Sequence, residues 1–269
     1  MDRLTWHTPH SLSELEPLLS LKGARLHGGG TGLLRSRPSS GTLVDLSRIG
    51  CDDVTVDGDT VSIGGTTTFA DVVDGVSVSD PDHILVKALS TAATPALRNR
   101  ITVGGSLALF PPWSSIVGPL LATGARVQLA GHTAGEVELS EYLATRDFRQ
   151  ETAVIGVTCS RCTDSVSYWY EFKRTRLTYP LFTVSVVIAV SGGRIDRCRI
   201  VLTGTRARFA MPHRLADSLV GTDPRTAQVK ESDLETIIPA RQGYSSDYLT
   251  HLAATAVARG VRAAVGRAE

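Results

Sequence analysis

Two glycine-rich stretches, each placed directly after a short apolar run, constrain this chain more than any other feature. Gly28-Gly29-Gly30-Thr31-Gly32 follows Arg25-Leu26-His27, and Gly104-Gly105 follows Ile101-Thr102-Val103. Glycine lets the backbone approach a ligand closely, and successive N–H groups at such a turn form a concavity that holds an anion without lysine or arginine. The same residues also serve plain turns that need positive φ, so both readings stand at this point. Neither stretch is a standard nucleotide fingerprint. A G-x-G-x-x-G pattern starting at Gly28 needs glycine where Leu33 stands, and one starting at Gly30 needs it where Arg35 stands. The Gly-Lys-Ser/Thr ending of a P-loop occurs nowhere.

Charge narrows the ligand further. Lys+Arg total 28 and Asp+Glu total 27, a balance without the basic surplus of a dedicated nucleic-acid binder. No stretch approaches the roughly 18 uninterrupted apolar residues of a membrane span, and the most apolar run, 184–190, has strand length. The N-terminal residues lack a basic segment followed by an apolar one, so no secretion signal is expected. Cysteines at 51, 159, 162 and 198 do not make a disulfide framework, which points to a reducing cytoplasm. Cys159-x-x-Cys162 has no second pair at metal spacing, and the seven histidines never form His-x-x-x-His or His-Glu-x-x-His. No Gly-x-Ser-x-Gly elbow supports a serine hydrolase. Neither a metal site nor a catalytic dyad is therefore expected.

The pattern along the chain predicts an α+β protein in two domains. Ser11-x-x-Glu14 opens a short helix near residue 12 that Gly23 ends. Val54-Thr55-Val56 and Thr60-Val61-Ser62-Ile63 flank Asp57-Gly58 as a tight hairpin. Short helices are expected at 67–73 and 113–122, a segment at 82–97 breaks at Pro95, and two short strands turn around Gly131-His132. The composition shifts at 163–166, dividing the chain into 1–163 and 164–269. In the second part, strands 181–190 and 194–202 form a hairpin across Ser191-Gly192-Gly193. Leu249, Leu252, Ala253, Ala256, Val257 and Val261 form one helical stripe. This part reads as an antiparallel sheet with helices on one side.

At this point the residues carry a family resemblance. The segment Arg25 to Leu34 resembles the first pyrophosphate loop, Ala-Gly-Gly-x-x-Leu-Leu, of the flavin subunit or domain of molybdenum hydroxylases. Leu43-Val44-Asp45-Leu46-Ser47-Arg48-Ile49 is similar to the strand after that loop, and 61–67 to the family's Ile-Gly-Ala-x-x-Thr stretch. The most specific match is Arg98-Asn99-Arg100-Ile101-Thr102-Val103-Gly104-Gly105-Ser106, which resembles the second loop, Arg-Asn-x-Ala-Thr-Ile-Gly-Gly-Asn. Tyr179-Pro180-Leu181 and the final helix around Tyr248 and His251 resemble the family's C-terminal domain.

The resemblance implies a two-lobed FAD-binding domain of the PCMH or vanillyl-alcohol-oxidase type, followed by a smaller domain with an antiparallel sheet and helices. It implies FAD with its pyrophosphate between the two loops, at Gly28, Gly29, Gly30, Thr31, Gly32 and Leu33 and at Thr102, Val103, Gly104, Gly105 and Ser106. It also implies partners: a large molybdopterin-binding subunit and a small [2Fe-2S] subunit, with electrons leaving through the flavin to NAD, oxygen or another acceptor. Two positions depart from the family. Ser115 stands where an aspartate accepts from the sugar or adenine side, and Glu171 stands where a lysine lies near the flavin, with Lys173 two residues on. An acid there opposes an anionic reduced flavin by Coulomb repulsion. Tyr168-Trp169-Tyr170 serves either flavin stacking or a strand face, and His27 either strand-end packing or a flavin contact. A stand-alone FAD-dependent oxidoreductase is the alternative that the two departures motivate, and a flavin-free scaffold is a third.

Overall fold

The computed structural model describes residues 4–36, 38–145, 148, 152–176 and 178–267. In chain order the elements begin with β1 (Leu4–His7), α1 (Leu12–Leu19), β2 (Arg25–His27), α2 (Leu33–Ser36) and β3 (Gly41–Asp45). Ser11 caps α1, accepting from the Glu14 N–H at 3.2 Å, while Glu14 accepts from the N–H of His10 at 2.8 Å. There follow β4 (Val54–Asp57), β5 (Thr60–Gly64), α3 (Phe69–Ser77), α4 (Ile84–Leu89), α5 (Pro95–Arg98), α6 (Val103–Leu109) and α7 (Val117–Ala122). Asp57 pairs with Thr60, so the two-residue turn is Gly58-Asp59, one position later than expected. Pro95 starts α5 rather than breaking a helix, because its fixed φ and missing N–H suit a first helical position. The remaining elements are β6 (Arg126–Gly131), β7 (Gly135–Glu138), α8 (Leu139–Ala144), β8 (Thr152–Ser160), β9 (Ser165–Phe172), β10 (Phe182–Ser191), β11 (Arg194–Thr205), β12 (Arg208–Ala210), α9 (His213–Leu219) and α10 (Ser246–Ala263).

The chain forms two compact units, and the first holds the residues up to Ser79, Thr94–Phe110 and Gly124–Ser160. It contains a parallel sheet ordered β1-β3-β2 and an antiparallel sheet ordered β4-β5-β8-β6-β7. Leu15 and Leu19 of α1 pack with Val44, Leu46, Ala130 and Ala153. A mixed fold of helices and sheets is what the resemblance implied.

The second unit takes Asp80–Ala93, Pro111–Thr123 and the chain from Arg161 onward. Its sheet runs β12-β11-β10-β9, all antiparallel. Val184, Val186 and Ile188 of β10 face the buried stripe of α10, where Leu249, Ala253, Ala256, Val257 and Val261 lie. Each such large aliphatic side chain removed from water contributes roughly 1.5–3 kcal/mol. Here the structure corrects the sequence reading, which put helices on one side only. Helix α7 packs on β10 and β11 and α4 on β9, so Thr183 and Ser185, on the other face of β10, are also fully buried. Gly118 makes this approach possible: a Cβ there would sit 2.6 Å from Ser185 Oγ. Thr183 and Thr203 satisfy each other across the strands at 2.7 Å. Among the described residues no helix is long and apolar enough to cross a membrane.

Candidate functional site

The first glycine stretch begins where β2 ends. The oxygen of His27 accepts from Leu46 N–H at 2.9 Å, the last tie of this strand to its neighbour. The chain then turns through Gly30, at φ +75°, and enters α2, with Leu34 N–H donating to the Gly30 oxygen at 3.0 Å. The imidazole of His27 lies under the turn: a Cβ on Gly30 would sit 2.6 Å from its Nε2. His27 also approaches Asp45, with Nδ1 to Oδ1 at 3.5 Å, and Trp6, with ring centroids 5.1 Å apart. These contacts give His27 a packing role in the floor of the loop.

What the loop leaves open is a row of donors. The N–H groups of Gly28, Gly29, Gly30, Thr31 and Gly32 find no acceptor among the described residues. Such a run at the surface of a turn is the arrangement that binds anionic oxygen. Besides Gly30, two more of these glycines are required by close protein packing. A Cβ on Gly28 would lie 2.7 Å from Thr102 Oγ1, and one on Gly29 only 1.3 Å from the oxygen of Arg100. Gly32 differs, since its φ is ordinary and a Cβ there would meet only Leu109 Cδ2, at 3.6 Å. Nothing among the described residues forbids a side chain at 32, so its glycine fits a cradle for a bound group.

The second stretch is built otherwise than the sequence suggested. Its N–H groups are not free: Val103 donates to Thr67 O at 3.0 Å, Gly104 to Gly65 O at 2.8 Å and Ser106 to Thr102 O at 3.0 Å. Gly105 donates to the hydroxyl of Thr102, the N-cap of α6, at 3.2 Å. Gly104 is needed because a Cβ would fall 2.7 Å from Gly65 O and 2.8 Å from Val154 O. This stretch is a tightly wound helix start braced on the first, with Gly105 exposed and Ser106 half-buried. Ser106 brings a hydroxyl and no free N–H. The brace has a further part that the motifs did not single out: Arg100 donates to the Gly29 oxygen from both Nε, at 3.2 Å, and Nη2, at 2.9 Å.

Ser115 and Glu171 belong to the second unit. Ser115 sits, half-buried, in the turn before α7. Glu171 does not stand as a lone acid: its carboxylate pairs with Lys173 Nζ at 2.7 Å, and Lys173 also donates to Thr91 O at 3.0 Å. Both side chains are largely shielded, with 16% and 11% exposure, and Glu171 Oε2 is buried without a hydrogen bond. The pair cancels the negative charge that the sequence placed there. Of the aromatic triplet, Tyr168 and Tyr170 pack against the core of the second unit, and burial pushes both hydroxyls up. Trp169, pairing with Ser185 of β10, points to the opposite face, its Nε1 buried. No cluster of three or more metal-ligating side chains occurs among the described residues.

A family model described as the FAD binding domain in molybdopterin dehydrogenase matches residues 2–157. The carbon monoxide dehydrogenase medium chain of Hydrogenophaga pseudoflava is 25% identical over 285 aligned positions, covering 98% of each chain. The 6-hydroxypseudooxynicotine dehydrogenase complex subunit alpha of Paenarthrobacter nicotinovorans is 29% identical over 195 positions, 67% of this chain and 65% of that one. Among solved structures, a chain of quinoline 2-oxidoreductase from Pseudomonas putida 86 superposes with a TM-score of 0.85 at 24% identity, over 98% of both chains. A chain of the carbon monoxide dehydrogenase of Hydrogenophaga pseudoflava gives the same TM-score, identity and coverage. The chain belongs to the family of FAD binding domains in molybdopterin dehydrogenases, as an FAD-dependent oxidoreductase component with FAD as its cofactor.

Proposed function

We propose that this chain is the flavin subunit of a multi-subunit molybdenum hydroxylase. In this reading it receives electrons from iron–sulfur clusters on a small partner and hands them to an acceptor such as NAD or oxygen, while a large molybdopterin-binding partner oxidises the substrate. The observation that carries the proposal is the row of free N–H groups from Gly28 to Gly32, set beside the helix start at Thr102. It suits a pyrophosphate in a protein with no basic surplus. When bound, FAD supplies a redox group that takes up electrons singly and releases them in pairs.

The chain's own residues then have defined tasks. Gly28, Gly29, Gly30, Thr31 and Gly32 would hold the pyrophosphate through their backbone N–H groups, and Thr31 and Ser106 would add hydroxyl donors. Leu33 carries the chain into α2, while Thr102, Val103, Gly104 and Gly105 hold the second wall rigid. Ser115 and Glu171 are assigned to the cofactor by the resemblance alone. In this division of labour the cofactor reacts and the protein orients it. Two relatives, one named a dehydrogenase medium chain and the other the alpha subunit of a dehydrogenase complex, support the partnership. The stand-alone alternative loses one of its motives, because Glu171 is accompanied by Lys173. A cytoplasmic location remains part of the reading, supported by the scattered positions of the four cysteines in the sequence.

The test is isolation of the native complex from its host, with flavin released by denaturation and metals measured. One FAD per copy of this chain, together with molybdenum and iron, is expected. A complex without flavin would defeat the proposal, and flavin without metals or larger subunits would favour the stand-alone enzyme.

A further inference from the structure

Resting on the reading above, we infer that Arg100 is a positioning residue for the cofactor's pyrophosphate, acting through the Gly29–Gly30 peptide. Its Nε and Nη2 converge on one atom, the Gly29 oxygen, at 3.2 and 2.9 Å. In a trans peptide the carbonyl and the following N–H point in opposite directions. Tethering the Gly29 oxygen to the guanidinium therefore turns the Gly30 N–H away from Arg100, leaving it free on the far side of the loop.

That tether matters because this peptide can flip at low steric cost. Neither flanking residue has a Cβ, and Gly30 already occupies the left-handed region at φ +75°. A flipped peptide would present a carbonyl oxygen where the loop now presents a donor, replacing attraction for a phosphate oxygen by repulsion. A charge-assisted hydrogen bond to the carbonyl opposes the flip. The backbone of Arg100 supplies the other half of the latch, since its carbonyl lies directly beneath Gly29. One residue thus fixes both the height and the orientation of the peptide. Arg100 is exposed, so its replacement leaves the hydrophobic core untouched.

The experiment uses the full chain stripped of flavin, as wild type, Arg100→Gln and Arg100→Lys. FAD and riboflavin, which lacks phosphate, are titrated separately by quenching of flavin fluorescence, and each apo-protein is melted. Both variants should lose FAD affinity about tenfold or more, because a charged hydrogen bond is removed or its two-donor geometry lost. Riboflavin affinity and the apo melting temperature should stay at wild-type values. Wild-type FAD affinity in Arg100→Gln, full rescue by lysine, or an equal loss for riboflavin overturns the latch. Failure of the wild-type chain to bind FAD at all overturns the functional reading beneath it.

Discussion

Replacing Gly32 by alanine separates what the fold needs from what the cofactor needs. A Cβ at this position meets only Leu109 Cδ2, at 3.6 Å, which is ordinary van der Waals contact, and the backbone is not left-handed. Alanine also restricts the unfolded chain, a gain of about 0.4–1 kcal/mol where the native conformation accepts it. The apo-protein should therefore melt at the wild-type temperature or slightly above. Binding moves the other way, since a methyl group projects from the row of donors that the pyrophosphate approaches. A ligand that binds only the folded state, present at a hundred times its Kd, stabilises by about 2.7 kcal/mol, and a tenfold weaker Kd leaves about 1.4 kcal/mol. Scanning calorimetry of both proteins, with and without FAD at one fixed concentration, reads both effects. Undiminished stabilisation by FAD in Gly32→Ala would refute the assignment of this loop to the cofactor, and a destabilised apo-protein would refute the packing argument.

Other substitutions probe the frame around the site. Gly104→Ala forces a Cβ to within 2.7 Å of Gly65 O; it should cost about 1–3 kcal/mol in urea unfolding, as overpacking does. Lys173→Met strands the shielded Glu171 carboxylate and should cost about 3 kcal/mol, whereas the double replacement with Glu171→Leu should recover most of that, as read from denaturant midpoints. Ser185→Ala removes a buried hydroxyl that makes no hydrogen bond, so thermal unfolding should show little loss or a small gain. Burial pushes the Cys198 thiol up to about 12. Because its folded value exceeds the unfolded one of 9.0, its contribution to stability is intact below about pH 9 and falls as pH rises toward 12, by about 1.4 kcal/mol per unit. Alkylation of native protein at pH 8 should accordingly spare Cys198 while unfolded protein reacts.

Local features were legible in the sequence where a short-range rule governs them. Gly192 and Gly193 both take positive φ, +56° and +73°, the conformation a two-residue hairpin turn demands and glycine alone adopts freely. Ser11 caps its helix because a hydroxyl three residues ahead of a backbone N–H can accept from it. What the sequence could not show depends on distant partners. Segments 80–93 and 111–123 join the second unit, and α7 covers the face of β10 that looked open, so Ser185 is buried where alternation alone suggested exposure. Gly104 reads as a ligand-facing glycine until Gly65 O and Val154 O are seen against it. Lys173 neutralises Glu171 because alternate residues of an extended chain share a face, a pairing the spacing allowed but did not decide.

The central claim is that the backbone N–H groups of 28–32 hold the pyrophosphate of FAD. An amide proton–nitrogen spectrum of the isotopically labelled apo-protein, titrated with FAD to saturation, tests it most directly. The account predicts that the amide protons of Gly28, Gly29, Gly30, Thr31 and Gly32 move downfield together, as donors to anionic oxygen do, while those of Val103 and Gly104, already bonded within the protein, move little. Saturation with flavin that leaves the amides of 28–32 in place would contradict it.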